Sequence, residues 1–168
     1  MTSGIKVSIP NRILCVCMGN TCRSPIMAAL LKHEFDACGL NIVVESAGLD
    51  EEEGKPASPD AVTEMAKRGL DISSHRNRLL DNAEPNRFDR ILCANQEVVT
   101  VITNFYPQHM PGVVPMDRLE VVDADRGGIA DPFEKGPKAY AACTKQIEAA
   151  MRRIAMEITT GRRAKPAD

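Results

Sequence analysis

Cys17 and Arg23 stand six positions apart in Cys17-Met18-Gly19-Asn20-Thr21-Cys22-Arg23-Ser24-Pro25, a thiol and a guanidinium bracketing a short segment. Ser24 is a good helix N-cap, and Pro25 suits the first helical position, where a missing N–H is harmless. Loop amides and a helix N-terminus then converge on one concavity, which favours an anion the size of phosphate. Cys17 falls at the floor of that concavity. A helix end, a cationic neighbour and a hydroxyl from Ser24 all favour the thiolate, the nucleophilic form of cysteine. Arg23 offers a planar fork for two phosphate oxygens at once, which lysine cannot match. Gly19 lets the backbone approach a ligand, and Asn20 tolerates a left-handed conformation. The expected chemistry is attack of sulfur on phosphorus.

The elements around the segment fit that placement. Upstream, Arg12-Ile13-Leu14-Cys15-Val16 is an apolar run of buried-strand type. Downstream, a helix is expected from Pro25 to about Ala37, stopped by Gly39. Ile42-Val43-Val44 is a second strand candidate, and Ser58-Pro59-Asp60 leads into a helix Ala61–Arg68 closed by Gly69. Arg90–Cys93 reads as a third strand, followed by a helix Gln96–Phe105 capped by Asn95. Val113-Val114-Pro115-Met116 is a fourth, shorter strand candidate. A last helix runs from Gly136 or Pro137 to Ile158, with Tyr140, Cys143, Ile147, Ala150, Ile154 and Ile158 on one stripe. Strands alternating with helices imply an α/β fold, a parallel sheet with helices on both faces, with ligands bound at strand carboxyl ends.

The chain has 168 residues, enough for one domain that buries roughly 70% of its unfolded surface. Apolar residues make up 43%, aromatics 4%, and tryptophan is absent. A net charge of −2 makes no case for nucleic-acid or membrane binding. No apolar run reaches the length of a membrane span, and Met1–Lys6 lacks a signal-peptide core. The six cysteines are therefore expected as free thiols in a reducing cytoplasm. Cys15, Cys17 and Cys22 as zinc ligands would need a different spacing and a nearby histidine. The expected organisation is an N-terminal extension over residues 1–11, a single domain over 12–158 and a frayed tail over 159–168.

The segment from Cys17 to Pro25 resembles the active-site loop of the low-molecular-weight protein tyrosine phosphatases. The resemblance covers most of residues 12–158 and implies their doubly wound, four-stranded parallel sheet. It implies Cys17 as nucleophile, Arg23 as phosphate ligand, and Met18, Gly19, Asn20, Thr21, Cys22 and Ser24 as the phosphate-binding loop. Asp131-Pro132-Phe133, just before the last helix, looks like the family's Asp-Pro-aromatic motif. That match makes Asp131 general acid of the first step and general base of the second; Asp123 and Asp125 are read as solvated loop charges. Ser46, in Ser46-Ala47-Gly48, and His75, in Ser73-Ser74-His75-Arg76, align with positions that support the loop in the family. Phe88–Cys93 resembles its third strand, although Asn95 stands where many members carry an acidic residue.

The implied activity is hydrolysis of phosphotyrosine in phosphorylated proteins, releasing inorganic phosphate, with no cofactor and no metal. Thr21 stands where many tyrosine-directed members have isoleucine, and there the chain resembles the family's arginine phosphatases. Gly54-Lys55-Pro56-Ala57-Ser58, and the absence of a tyrosine after Phe133, also resemble that branch. Phosphoarginine is thus the alternative substrate. Glu51-Glu52-Glu53 reads either as a solvated loop or as a wall favouring cationic surroundings. Cys22 is either a small packing residue or a redox partner of Cys17. An arsenate reductase would need a close cysteine relay, whereas Cys93 and Cys143 are fifty residues apart. A phosphopeptide-binding module would have no use for an activated thiol.

Overall fold

The structure is a computed structural model that describes residues 8–50 and 52–161. The expected extension and tail lie mostly outside the described residues, as does Glu51. Four parallel strands form one sheet in the order β2-β1-β3-β4: β1 Arg12–Val16, β2 Val43–Ala47, β3 Arg90–Cys93 and β4 Leu119–Val121. The long helices are α1 Arg23–Ala37, α2 Pro59–Ala66, α3 Gln96–His109 and α4 Pro137–Thr160. This is a doubly wound α/β fold.

The central strands show why the sheet is covered on both sides. Ile13 and Cys15 of β1, with Leu92 of β3, pack beneath α1 and α4. Leu14 and Val16, with Ile91 and Cys93, pack on the other face beside Val98, Ile102 and Tyr106 of α3. Successive strand residues point to opposite faces, so a strand buried on both faces must read as continuously apolar. The strand order reverses between β1 and β3, which stay parallel, and the loop after β1 leaves the sheet at that switch point.

The fourth strand is not where the sequence pattern places it. Residues 113–116 form an irregular connection with Val114 buried in the second core, and Leu119–Val121 pairs with β3 instead. Pro115 has no N–H to give to a ladder, whereas Glu120 meets Arg90 across the sheet with two contacts of 2.7 Å. Strand β2 also sits one residue later than expected, because its register with β1 runs from Arg12↔Val43 to Val16↔Ala47. Helix α3 continues through Pro107, past the expected end at Phe105. Tyr106 holds the last turn by its burial and by donating to Asp81 Oδ1 at 2.8 Å. Gly39 and Gly69 stop α1 and α2 in left-handed conformations, at φ +70° and +74°. Among the described residues no helix is long and apolar enough to cross a membrane.

Candidate active site

The loop from Cys17 to Cys22 joins the carboxyl end of β1 directly to α1. The helix begins at Arg23, two residues before Pro25, and Cys22 occupies the capping position without a side-chain cap bond. Ser24 is therefore not the N-cap. It is fully buried, and its hydroxyl lies 3.0 Å from Cys17 Sγ. Asn20 Nδ2 donates to Ser24 Oγ at 2.7 Å, which fills an acceptor position of that hydroxyl. The Ser24 proton then points to sulfur in preference to the Ala47 carbonyl, which is farther away at 3.4 Å. The amide of Asn20 donates to the same sulfur at 3.2 Å. Two polar groups thus converge on one sulfur.

Asn20 is fully buried and adopts the left-handed conformation, φ +54°. Its side chain also donates to Ser46 Oγ at 2.9 Å and accepts from the Arg78 amide at 3.0 Å. Its carbonyl faces His75 Nε2 at 2.7 Å, so that nitrogen carries the proton. Burial lowers the His75 pKa from its ordinary value; the Asn20 carbonyl opposes the shift, and the charges of Arg76 and Arg78 add to it. Gly48 closes the back of the loop: a Cβ there would lie 2.8 Å from Asn20 Cβ and 2.9 Å from its amide nitrogen. Only glycine fits at that approach.

The amides of Met18, Gly19, Thr21 and Cys22 find no protein acceptor among the described residues. Arg23 is 2% exposed; its Nη1 donates to the Ile129 carbonyl at 2.9 Å, while its buried Nε has no partner in the structure. Buried donors are normally satisfied, so these groups describe a preformed seat for an oxyanion. Asp131 lies across the cleft, with Oδ2 at 3.5 Å from Arg23 Nη2 and its side chain 46% exposed. The cleft encloses about 520 Å³ and includes Cys17, Met18, Gly19, Thr21, Cys22, Arg23, Lys55, Asp131 and Phe133 among its walls.

Other residues behave differently from the sequence reading. Asp123 is buried, ion-paired with Arg153 and hydrogen-bonded to Gln146 at 3.1 Å; only Asp125 is a solvated loop charge. Glu53 accepts from the Leu79 amide and from Asn82 Nδ2, both at 2.7 Å, so this part of the acidic run is tied down. Ser58 precedes α2 without capping it; its hydroxyl lies 3.5 Å from Cys22 Sγ. Tyr140 OH is 3.0 Å from the same sulfur, and burial raises the tyrosine's pKa. The stripe of α4 marked Tyr140 as core, and a buried phenol's need for a polar partner was the available signal. Gly48, Asn77 and Arg78 had no such signal, because their roles depend on which loops meet.

A cysteine-bearing loop at the switch point of a doubly wound sheet, with an arginine at the helix start and an aspartate opposite, is the architecture of a cysteine-based phosphatase. The model of the family described as low molecular weight phosphotyrosine protein phosphatase matches residues 12–164, and the chain belongs to that family. It is 35% identical over 136 residues to the probable low molecular weight protein-tyrosine-phosphatase EpsP of Ralstonia nicotianae, covering 81% of this chain and 88% of that protein. It is 30% identical over 152 residues to the protein-arginine-phosphatase of Geobacillus stearothermophilus, covering 90% and 99%. Among solved structures it superposes on YwlE arginine phosphatase, a cysteine-to-serine mutant with a phosphorylated active-site serine. The TM-score is 0.79 and the identity 26%, over 90% of this chain and 98% of that one. The chain is thus a hydrolase of phosphorylated proteins.

Proposed function

We propose that the 12–158 unit hydrolyses phosphotyrosine in proteins through a phosphocysteine formed on Cys17. The observation that carries this reading is the pair of donors on Cys17 Sγ, from the Asn20 amide at 3.2 Å and the Ser24 hydroxyl at 3.0 Å, at the floor of a cleft lined with unpaired amides. In the first step the thiolate attacks phosphorus in line. An S–P bond forms, the P–O bond breaks, and Asp131 gives its proton to the departing phenolate oxygen. In the second step Asp131 takes a proton from water as it attacks phosphorus; the S–P bond breaks, returning the thiolate and releasing inorganic phosphate. Amides between Met18 and Arg23 other than that of Asn20, with the Arg23 guanidinium, hold the three equatorial oxygens through both steps. Ser46 and His75 act through Asn20, keeping the loop in its left-handed turn.

Cys17→Ser tests the covalent route. Turnover of an aryl phosphate should vanish while phosphate still binds. Retained turnover would overturn the assignment.

Phosphoarginine is the second reading, favoured by Thr21 on the cleft wall and by the protein-arginine-phosphatase relative. A threonine hydroxyl suits a guanidinium, whereas an apolar residue there would suit an aromatic ring. Rates on the two phosphorylated residues, measured for wild type and Thr21→Ile, discriminate them: a tyrosine-directed enzyme keeps or gains activity on phosphotyrosine in the variant.

A further inference from the structure

Asn77 is 3% exposed, and its side chain joins two loops that otherwise meet only at their ends. Its Oδ1 accepts from the Lys55 amide at 2.7 Å. Its Nδ2 donates to the Glu52 carbonyl at 2.7 Å and to the Gly19 carbonyl at 3.3 Å. The backbone adds two more bonds, Asn77 N to the Lys55 carbonyl at 2.8 Å and Gly54 N to the Asn77 carbonyl at 3.1 Å. The rim of the cleft, Asp50 and residues 52–58 among those described, is attached to the phosphate-binding loop at each end. Leu49 and Asp50 amides donate to the Met18 carbonyl at 2.7 and 3.1 Å, and the Ser58 amide donates to the Thr21 carbonyl at 2.9 Å. Among the described residues the middle of the rim has one hydrogen-bonded link to that loop, and it runs through Asn77. Glu53 ties the rim to Leu79 and Asn82 instead, away from Cys17.

The middle of the rim is also what an extended substrate meets. Cys17 lies at the cleft floor, 2% exposed, so a phosphorylated side chain must reach inward while its main chain stays at the mouth. Lys55 stands at that mouth, paired with Asp50 at 3.1 Å and Glu52 at 2.8 Å. Without the Asn77 side chain the carbonyls of Glu52 and Gly19 and the amide of Lys55 lose that partner, and the link from the middle of the rim to the Gly19 carbonyl is gone. Lys55 is then held only by backbone bonds to residue 77 and by its carboxylate partners.

We infer that Asn77 is a positioning residue for phosphopeptides: it holds the Glu52–Lys55 rim in register with the phosphate-binding loop, so that the rim contacts residues flanking the phosphorylated side chain. The inference rests on the phosphatase reading above.

The test compares free phosphotyrosine with a phosphotyrosyl peptide of about twelve residues, which share one leaving group. Removing bonds worth about 1 kcal/mol in Asn77→Ala should raise KM for the peptide about fivefold, leaving kcat on both substrates and KM for free phosphotyrosine within about twofold. Asn77→Leu is uncharged and nearly the same size and removes the same three side-chain bonds without leaving a cavity; it should show the same selective loss and serves if the alanine variant does not fold. Equal changes on both substrates, or none on either, would overturn the positioning role. A wild-type protein inactive on both would instead overturn the phosphotyrosine reading.

Discussion

His75 Nε2 lies 2.7 Å from the carbonyl oxygen of Asn20, and this bond fixes both the tautomer of the ring and the backbone of the residue that grips Ser24. Burial lowers the His75 pKa below its ordinary 6.5, so the native state binds this proton less readily than the unfolded chain. Stability contributed by the neutral ring is present above the unfolded value and is lost as pH falls from about 6.5 through the lower native pKa. The melting temperature should therefore decline on acidification through that window, and His75→Gln, which keeps a neutral donor, should flatten the decline. An unchanged slope in the variant would assign the decline to other groups.

Asn20 and Gly48 are expected to be intolerant for linked reasons. Asn20→Ala removes the donors to Ser24 and Ser46 and the acceptor of the Arg78 amide, and places a less tolerant residue at φ +54°. A loss of about 2 kcal/mol in urea unfolding is expected, with a larger proportional fall in kcat. Gly48→Ala leaves those groups in place but drives a Cβ to 2.8 Å from Asn20 Cβ, so something in the loop must shift. Its kcat should fall about tenfold or more, because displacements of an ångström matter in a preorganised site. Near wild-type kcat would show that the loop yields without consequence.

Much of this site was legible because its chemistry is local. Cys17, Arg23 and the turn between them lie in one continuous segment, and the apolar run before it is of buried-strand type, as β1 bears out. The support was less legible. Ser24 reads both as a helix cap and as a hydroxyl beside Cys17, and only the second holds, since sequence does not show that Asn20 donates to the same hydroxyl. Asp123 reads as a loop charge, because its partner Arg153 lies thirty residues away on α4. The fourth strand was misplaced for a related reason: the β-branched pair Val113-Val114 outscores Leu119-Glu120-Val121 locally, but pairing with β3 decides the register. Tertiary contacts settle what propensity leaves even.

The cysteines should separate by environment. Burial pushes the Cys93 and Cys143 thiols up to about 12 and raises Cys15 further, so none of the three should be alkylated at pH 7.5. Cys38 is exposed and should react whether or not ligand is present. Cys17 should react with iodoacetate, an anion that the loop attracts, and inorganic phosphate should protect it. Peptide mass mapping after alkylation checks each position. Cys17 labelling that phosphate does not slow would remove the anion seat from the loop.

Asp131 Oδ2 sits 3.5 Å from Arg23 Nη2 at the open side of the cleft, where a leaving oxygen has to emerge. Proton donation matters in proportion to the basicity of that oxygen: phenolate of tyrosine is a poor leaving group without it, whereas a nitrophenolate departs as an anion. Asp131→Asn keeps the size of the side chain and loses the transferable proton. Its single-turnover rate of phosphocysteine formation should fall about a hundredfold or more on phosphotyrosine and much less on an activated dinitrophenyl phosphate. The burst of released phenol measures this first step apart from hydrolysis, for which Asp131 is the proposed base. An equal loss on both substrates would leave Asp131 with a role in holding Arg23 and would exclude it as the acid.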